Sequence, residues 1–159
     1  MRKVHENGFL VFIVACRWRT APGMEASYTK GSPMTISFNH TIIAAHDRQE
    51  SAWFFTHIFG LPDPTPAGHF LSVELEHGVM LDYAQVEQGA EISPQHYAFL
   101  VSENDFDGIY QRILALRLEH WADPRKSSTG FNTNDGGRGV YFLDPSGHFL
   151  EAITKPYGG

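Results

Sequence analysis

Several short stretches of the chain are apolar runs or alternate, at least in part, between apolar and polar residues, and each predicts a β-strand. The stretches cover residues 38–45, 70–75, 79–83, 95–101, 120–122, 139–143 and a closing strand around Glu151. Two longer stretches have helical spacing, from Asp47 to about residue 59 and from Ser102 to about residue 118. Asp47 with Glu50 forms a capping-box-like start, and Gly60 gives a stop for the first helix.

The order of these elements repeats. Each half reads strand, helix, strand, strand, strand, if the proline-rich segment after Gly60 contributes one weak strand. Gly78 and Asp82 recur 69 positions later as Gly147 and Glu151. Repeats of this kind indicate units that bury their apolar faces against each other. The sequence therefore predicts an α+β fold in which two βαβββ modules, residues 36–86 and 94–156, pair into an open curved sheet.

The first 33 residues differ from this pattern and are expected to be an N-terminal extension outside a single domain of residues 34–159. Their apolar run, residues 8–16, is far too short to span a membrane as a helix. An export signal, or a segment that packs on the domain, remains an alternative.

Composition excludes several classes of function. The net charge is −6 and no run of lysine and arginine occurs, which argues against a nucleic-acid surface. The single cysteine excludes an intrachain disulfide and a cysteine-rich metal site. Nine histidines leave a site of histidine and carboxylate ligands as the alternative.

Four residues occupy matching places in the two halves. His40 and His96 each open the first strand of a module, and Asp82 and Glu151 lie in each last strand. A pseudo-twofold axis would bring the four side chains to one centre. A carboxylate among apolar residues, as at Glu151, is costly to bury without a partner. Imidazole and carboxylate ligands with open positions suit Fe²⁺, Mn²⁺, Ni²⁺ or Zn²⁺.

The segment 141–151, YFLDPSGHFLE, resembles the last two strands of the vicinal oxygen chelate superfamily. This superfamily includes glyoxalases, fosfomycin-resistance enzymes, extradiol dioxygenases and bleomycin-binding proteins. The resemblance covers residues 36 to about 156. It implies a glyoxalase-like barrel of paired modules around a divalent metal, with His40, His96 and Glu151 as metal ligands. It also implies a homodimer.

The subgroup features conflict. Thr133-Asn134-Asp135 and Tyr141 resemble extradiol dioxygenases, but Asn132 replaces their loop histidine. Asp82 resembles the fourth acidic ligand of glyoxalase I. The cationic and hydroxyl residues of fosfomycin enzymes are not found at the comparable places, which argues against fosfomycin modification; these places hold Phe131, Asp135 and Gly139.

We therefore expect a metalloenzyme that acts on a small molecule with two adjacent oxygens, and we favour a dioxygenase with Fe²⁺ or Mn²⁺. The alternatives are a redox-neutral glyoxalase-type enzyme with Zn²⁺, Ni²⁺ or Co²⁺ and a non-catalytic protein that sequesters a ligand. Asp82 and Tyr141 are the predicted catalytic residues. Predicted substrate contacts are Asn134, Arg138 and Phe149. We expect a cytoplasmic protein that binds neither nucleic acid nor membrane.

Overall fold

A computed structural model describes residues 36–157; the predicted extension, residues 1–33, lies outside them. The described part folds as β1 (His40–Ala45), α1 (Arg48–Phe59), β2 (Thr65–Ala67), β3 (Phe70–Glu74), β4 (Met80–Gln85), β5 (His96–Leu100), α2 (Glu103–Ala115), β6 (His120–Trp121), β7 (Gly139–Leu143) and β8 (Phe149–Ile153). Short 3₁₀ turns lie at Glu76–Gly78 and Asn134–Gly136. Within residues 36–157, no helix is long and apolar enough to cross a membrane.

Local signals account for the helix boundaries. The Asp47 side chain accepts hydrogen bonds from the backbone N–H groups of Gln49 and Glu50, which have no partner inside the helix. Gly60 ends α1 in the left-handed conformation, with φ of 70°. Ser102 caps α2 in the same manner, accepting from the backbone N–H of Asp105.

Each module forms a four-stranded mixed sheet, with strand orders β1-β4-β3-β2 and β5-β8-β7-β6. In both sheets the first and last strands of the module are parallel neighbours, and the other pairs are antiparallel. The α+β class with two βαβββ modules is therefore confirmed. The parallel pairs position the candidate site residues, because β1 with His40 lies beside β4 with Asp82 and β5 with His96 lies beside β8 with Glu151.

The two modules are joined through an aromatic core on the helical side of the sheets. The ring of Phe99 on β5 lies 5.0 Å, between centroids, from the rings of both Phe55 and Phe59 on α1. Arg112 on α2 donates from Nε to the carbonyl of Ile58 over 2.8 Å, which ties the end of one helix to the other. Burial of this core leaves the opposite sheet faces available for a site.

The turn between β7 and β8 fixes the second module against the first. His148 is 1% exposed, and its Nδ1 accepts from the backbone N–H of Gln95 while Nε2 donates to the carbonyl of Ala44 on β1. The buried Asp144 carboxylate accepts from the backbone N–H groups of Ser146 and His148. Burial raises the pKa of Asp144. The conspicuous DPSGH motif is therefore a structural joint between the modules.

Substituting His148→Ala tests this joint. The change removes two hydrogen bonds and leaves a cavity, so we expect a loss of about 3 kcal/mol in the free energy of unfolding. Urea denaturation followed by circular dichroism measures it. His69→Ala, at an exposed histidine, is the matched control and should cost less than about 0.5 kcal/mol. Equal losses in the two variants would contradict the assignment.

Candidate metal and substrate site

Glu151 lies at the centre of the site, in the middle of β8. Its side chain is fully buried, with 0% exposure. Oε2 lies 2.9 Å from Nε2 of His96, and Oε1 accepts a hydrogen bond from the hydroxyl of Tyr157. Neither contact brings a lysine or arginine to the carboxylate. A buried carboxylate whose neighbours are an imidazole and phenols, without a lysine or arginine, is suited to bind a cation.

Strand register places His96 and Tyr141 on either side of this carboxylate. Glu151 is opposite Tyr141 on β7 and opposite Ala98 on β5, two residues after His96. The ring centroids of His96 and Tyr141 are 5.9 Å apart. His96 is half exposed, since 48% of its side chain is accessible. The imidazole therefore bridges the buried acid and solvent.

The hydroxyl of Tyr141 belongs to the same hydrogen-bond network as Glu151, His96 and Tyr157. Its oxygen lies 2.6 Å from that of Tyr157. Burial, followed by the hydrogen bonds to Glu151 and Tyr157, raises the pKa of Tyr141. Burial and the contact with Glu151 also raise the pKa of Tyr157. Both phenols therefore keep their protons at neutral pH and can act as hydrogen-bond donors.

In the first module, His40 and Asp82 occupy the places that correspond to His96 and Glu151, but the two side chains do not contact each other. Asp82 is opposite Ile42, two residues after His40, which is the same diagonal as that of His96 and Glu151. Here, however, Asp82 accepts from the Ser72 hydroxyl at 2.5 Å, and the exposed His40 contacts Asn39 instead. Ser72 is opposite Asp82, in the place that corresponds to Tyr141.

Within residues 36–157, no three histidine, cysteine or acidic side chains lie close enough together to hold a metal. The structure therefore brings together His96, Glu151 and Tyr141 of the predicted residues, and it does not bring His40 or Asp82 to them in one chain. The expected convergence of all four side chains on one centre is absent from the single chain, because the modules are joined through their helices and the β7–β8 turn.

The predicted substrate contacts fall in three different places. Phe149 lies opposite His96 in the β5–β8 register, beside the site. Arg138 is instead held on α2, where its guanidinium bonds Glu103 and Asp107 at 2.7 and 2.6 Å. These contacts engage its guanidinium with α2, and its role as a substrate contact stays a prediction. Asn134 lies on an exposed turn, and its backbone N–H donates to the side chain of Asn132.

Lys126 is a cation that sequence reasoning missed. Its Nζ lies 4.4 Å from the ring centroid of Trp121 and 4.9 Å from that of Phe149. The loop is shaped by Asp123, which accepts from Ser127 and Ser128. These hydrogen bonds, chiefly that of the Ser127 hydroxyl, lower the pKa of Asp123 to about 2. A lone lysine in a polar loop gives no sequence signal for this position.

Tyr157 was also missed, although it contacts the predicted ligand directly. It stands six residues after Glu151, beyond the last strand and after Pro156. No periodic pattern extends that far, so nothing in the sequence places its hydroxyl on Oε1. Its proximity in the chain to Glu151 was the one available hint.

No protein-family model matches the chain. Among curated proteins, the glutathione transferase FosA of Serratia marcescens is 32% identical over 145 residues, covering 79% of this chain and 94% of that protein. Among solved structures, Oxidase ChaP-H1 and Oxidase ChaP-H2 are 49% and 53% identical and both have a TM-score of 0.75. Each covers 79% of this chain, and 100% and 98% of the oxidase chains are matched.

These relatives are enzymes, which confirms the prediction of an enzyme. The match to FosA extends along most of both chains, and the two βαβββ modules have the glyoxalase-like fold that was expected. The chain belongs to the vicinal oxygen chelate superfamily.

Proposed function

We propose that the protein is a divalent-metal-dependent oxidase of dioxygenase type, acting on a small molecule with two adjacent oxygens. The observation that carries the proposal is the convergence of His96 Nε2 and Glu151 Oε2, 2.9 Å apart, beside the Tyr141 hydroxyl. The identities of 49% and 53% to two oxidases, against 32% to FosA, favour oxygen chemistry over transfer of a thiol.

The His96–Glu151 pair fits a metal ion. Two ligands bound at about 2.1 Å in tetrahedral or octahedral coordination lie about 3.0–3.4 Å apart, and the observed 2.9 Å is close to this range. Imidazole and carboxylate are ligands that Fe²⁺ and Mn²⁺ accept. A bound ion would also supply the positive charge that the buried carboxylate lacks.

A second copy of the chain supplies the missing ligand in this proposal. His40 is exposed, on the same face of β1 as Ile42, which is 54% exposed. Leu100, on the His96 face of β5, is 61% exposed. Open grooves of about 670 and 310 Å³ flank β5. Exposed apolar residues around a half-complete site indicate an interface, so a homodimer would bring His40 of one chain to His96 and Glu151 of the other.

The remaining residues act on the substrate. The metal would polarise two adjacent substrate oxygens and lower the pKa of their hydroxyl groups. The oxygen of Tyr141 is placed to accept a hydrogen bond from one of these hydroxyl groups. Asp82 shares the His40 face of its sheet and would arrive with the partner chain, as a base or a further ligand. Lys126, held over Trp121 and Phe149, would favour an anionic, flat substrate. We place this enzyme in the cytoplasm.

Subunit mixing tests whether the metal site is shared between chains. His40→Ala, His96→Ala and Glu151→Ala should each abolish binding of Fe²⁺ or Mn²⁺, measured by elemental analysis, while His69→Ala should leave it unchanged. Refolding an equal mixture of His40→Ala and Glu151→Ala chains should restore about a quarter of the wild-type metal, because about half the dimers are mixed and each has one intact site.

The mixing experiment distinguishes a metal site shared between two chains from one completed within a single chain. No recovery of metal in the mixture, with metal present in the wild type, would show that the site is completed within one chain. Metal-free wild-type protein would overturn the proposed metalloenzyme.

The reaction class is tested by oxygen uptake. We expect Fe²⁺- or Mn²⁺-loaded protein to consume oxygen with catechols or α-hydroxycarbonyl compounds, and chelation by EDTA to stop it. Glu151→Ala is the inactive control. Turnover of an α-hydroxycarbonyl probe without oxygen would indicate the glyoxalase-type alternative. Thiol-dependent loss of fosfomycin would indicate the chemistry named for FosA.

A further inference from the structure

We propose that Tyr157 is a positioning residue of the metal site, which orients Glu151 and fixes the direction of the hydrogen bond at Tyr141. The inference rests on the proposed metal site and concerns a residue outside the two modules' strands. It is carried by three contacts: Tyr157 to Glu151, Tyr157 to Tyr141, and the attachment of the segment after β8 to the residues just before β7.

The segment after β8 is held in place by backbone and side-chain bonds. Thr154 donates its backbone N–H to the carbonyl of Arg138 over 2.9 Å, and its hydroxyl oxygen accepts from the Arg138 N–H over 2.8 Å. A Cβ built on Gly137 would lie 2.9 Å from Cβ of Lys155, so the close approach of the segment requires glycine there. These contacts hold the segment beside the residues that precede β7, and the Tyr157 hydroxyl reaches the carboxylate from there.

The geometry fixes which group donates. A carboxylate only accepts, so the Tyr157 hydroxyl gives its single proton to Oε1 of Glu151. The bond between the two phenols, 2.6 Å long, must then be donated by Tyr141. The proton of Tyr141 is consequently engaged with Tyr157, and only the lone pairs of its oxygen are left for a substrate. It can accept a hydrogen bond from a substrate hydroxyl, and it cannot donate one while this arrangement lasts.

The same contact divides the roles of the two carboxylate oxygens. Oε1 is occupied by Tyr157, and Oε2 faces His96. Glu151 therefore presents one oxygen to a metal, in a fixed orientation, and rotation to a two-oxygen mode would break the bond to Tyr157. Partners that orient a ligand in this way typically change metal affinity about 10–100-fold when they are removed.

Packing does not explain the position of Tyr157. The residue is 56% exposed, so its ring buries little apolar surface. Its hydroxyl nevertheless makes both contacts with buried side chains, Glu151 and Tyr141, which are 0% and 5% exposed. Removing the hydroxyl should therefore affect the site more than the stability of the fold.

The test compares Tyr157→Phe with the wild type by titration with Co²⁺, whose absorption spectrum reports both affinity and coordination. We expect about 10–100-fold weaker binding and a changed spectrum. Gly137→Ala, which displaces the segment through Lys155, should have the same effect. Tyr110→Phe, at a phenol whose hydroxyl contacts His120, is the matched control and should bind Co²⁺ as the wild type does.

The Co²⁺ titration either supports or overturns the proposed role of Tyr157. Wild-type affinity and spectrum in Tyr157→Phe would overturn the inference, even if the variant were less stable to heat without metal. Weaker binding with an unchanged melting temperature of the metal-free protein would support it. Failure of the wild type to bind Co²⁺ would instead overturn the proposed metal site, so the two failures are distinguishable.

Discussion

The burial of one carboxylate governs the organisation of the second module. Glu151 is withdrawn from water in the centre of an apolar strand, where an unpaired charge is strongly destabilising. The partners it does have are an imidazole and a phenol, contributed by the first strand of the module and by the segment after the last. Both ends of the module therefore contribute to stabilising its central acid. A structural role alone would be met more simply by an apolar residue at this position, so the arrangement favours a bound cation.

The internal repeat explains why a histidine lies beside this acid. In each module the first and last strands are parallel neighbours, so a histidine at the start of one comes to lie diagonally across from an acid in the other. The residue opposite the acid on the remaining side then decides the outcome. Ser72 is short and bonds Asp82 directly, whereas the longer Tyr141 projects its hydroxyl onward to Tyr157. The same backbone arrangement therefore leaves Asp82 hydrogen-bonded to Ser72, whereas Glu151 contacts His96.

Much of the fold could be predicted because its signals are local. Asp47 and Gly60 mark the ends of α1, because they bond backbone groups that have no partner inside the helix. The repeat of Gly78 and Asp82 at Gly147 and Glu151 made it possible to align the two modules. Contacts set by side-chain reach could not be predicted. Arg138 follows a glycine-rich loop that suggested a substrate contact, but carboxylates one helical turn apart on α2 bind it. The position of Tyr157 depends on a segment without periodic pattern.

Each module of the chain has part of the predicted ligand set, and each has a feature that the other lacks. The second module has a buried acid, a histidine and two phenols in contact, while the first has an exposed histidine and an acid engaged by a serine. The aromatic core and the His148 joint hold the modules through their opposite faces, so rearrangement within the chain would break that core. The proposed association of two chains would leave this core intact and would also cover the exposed Ile42 and Leu100. In this proposal the same contact would bury apolar surface and complete the ligand set, and assembly would then be coupled to metal binding.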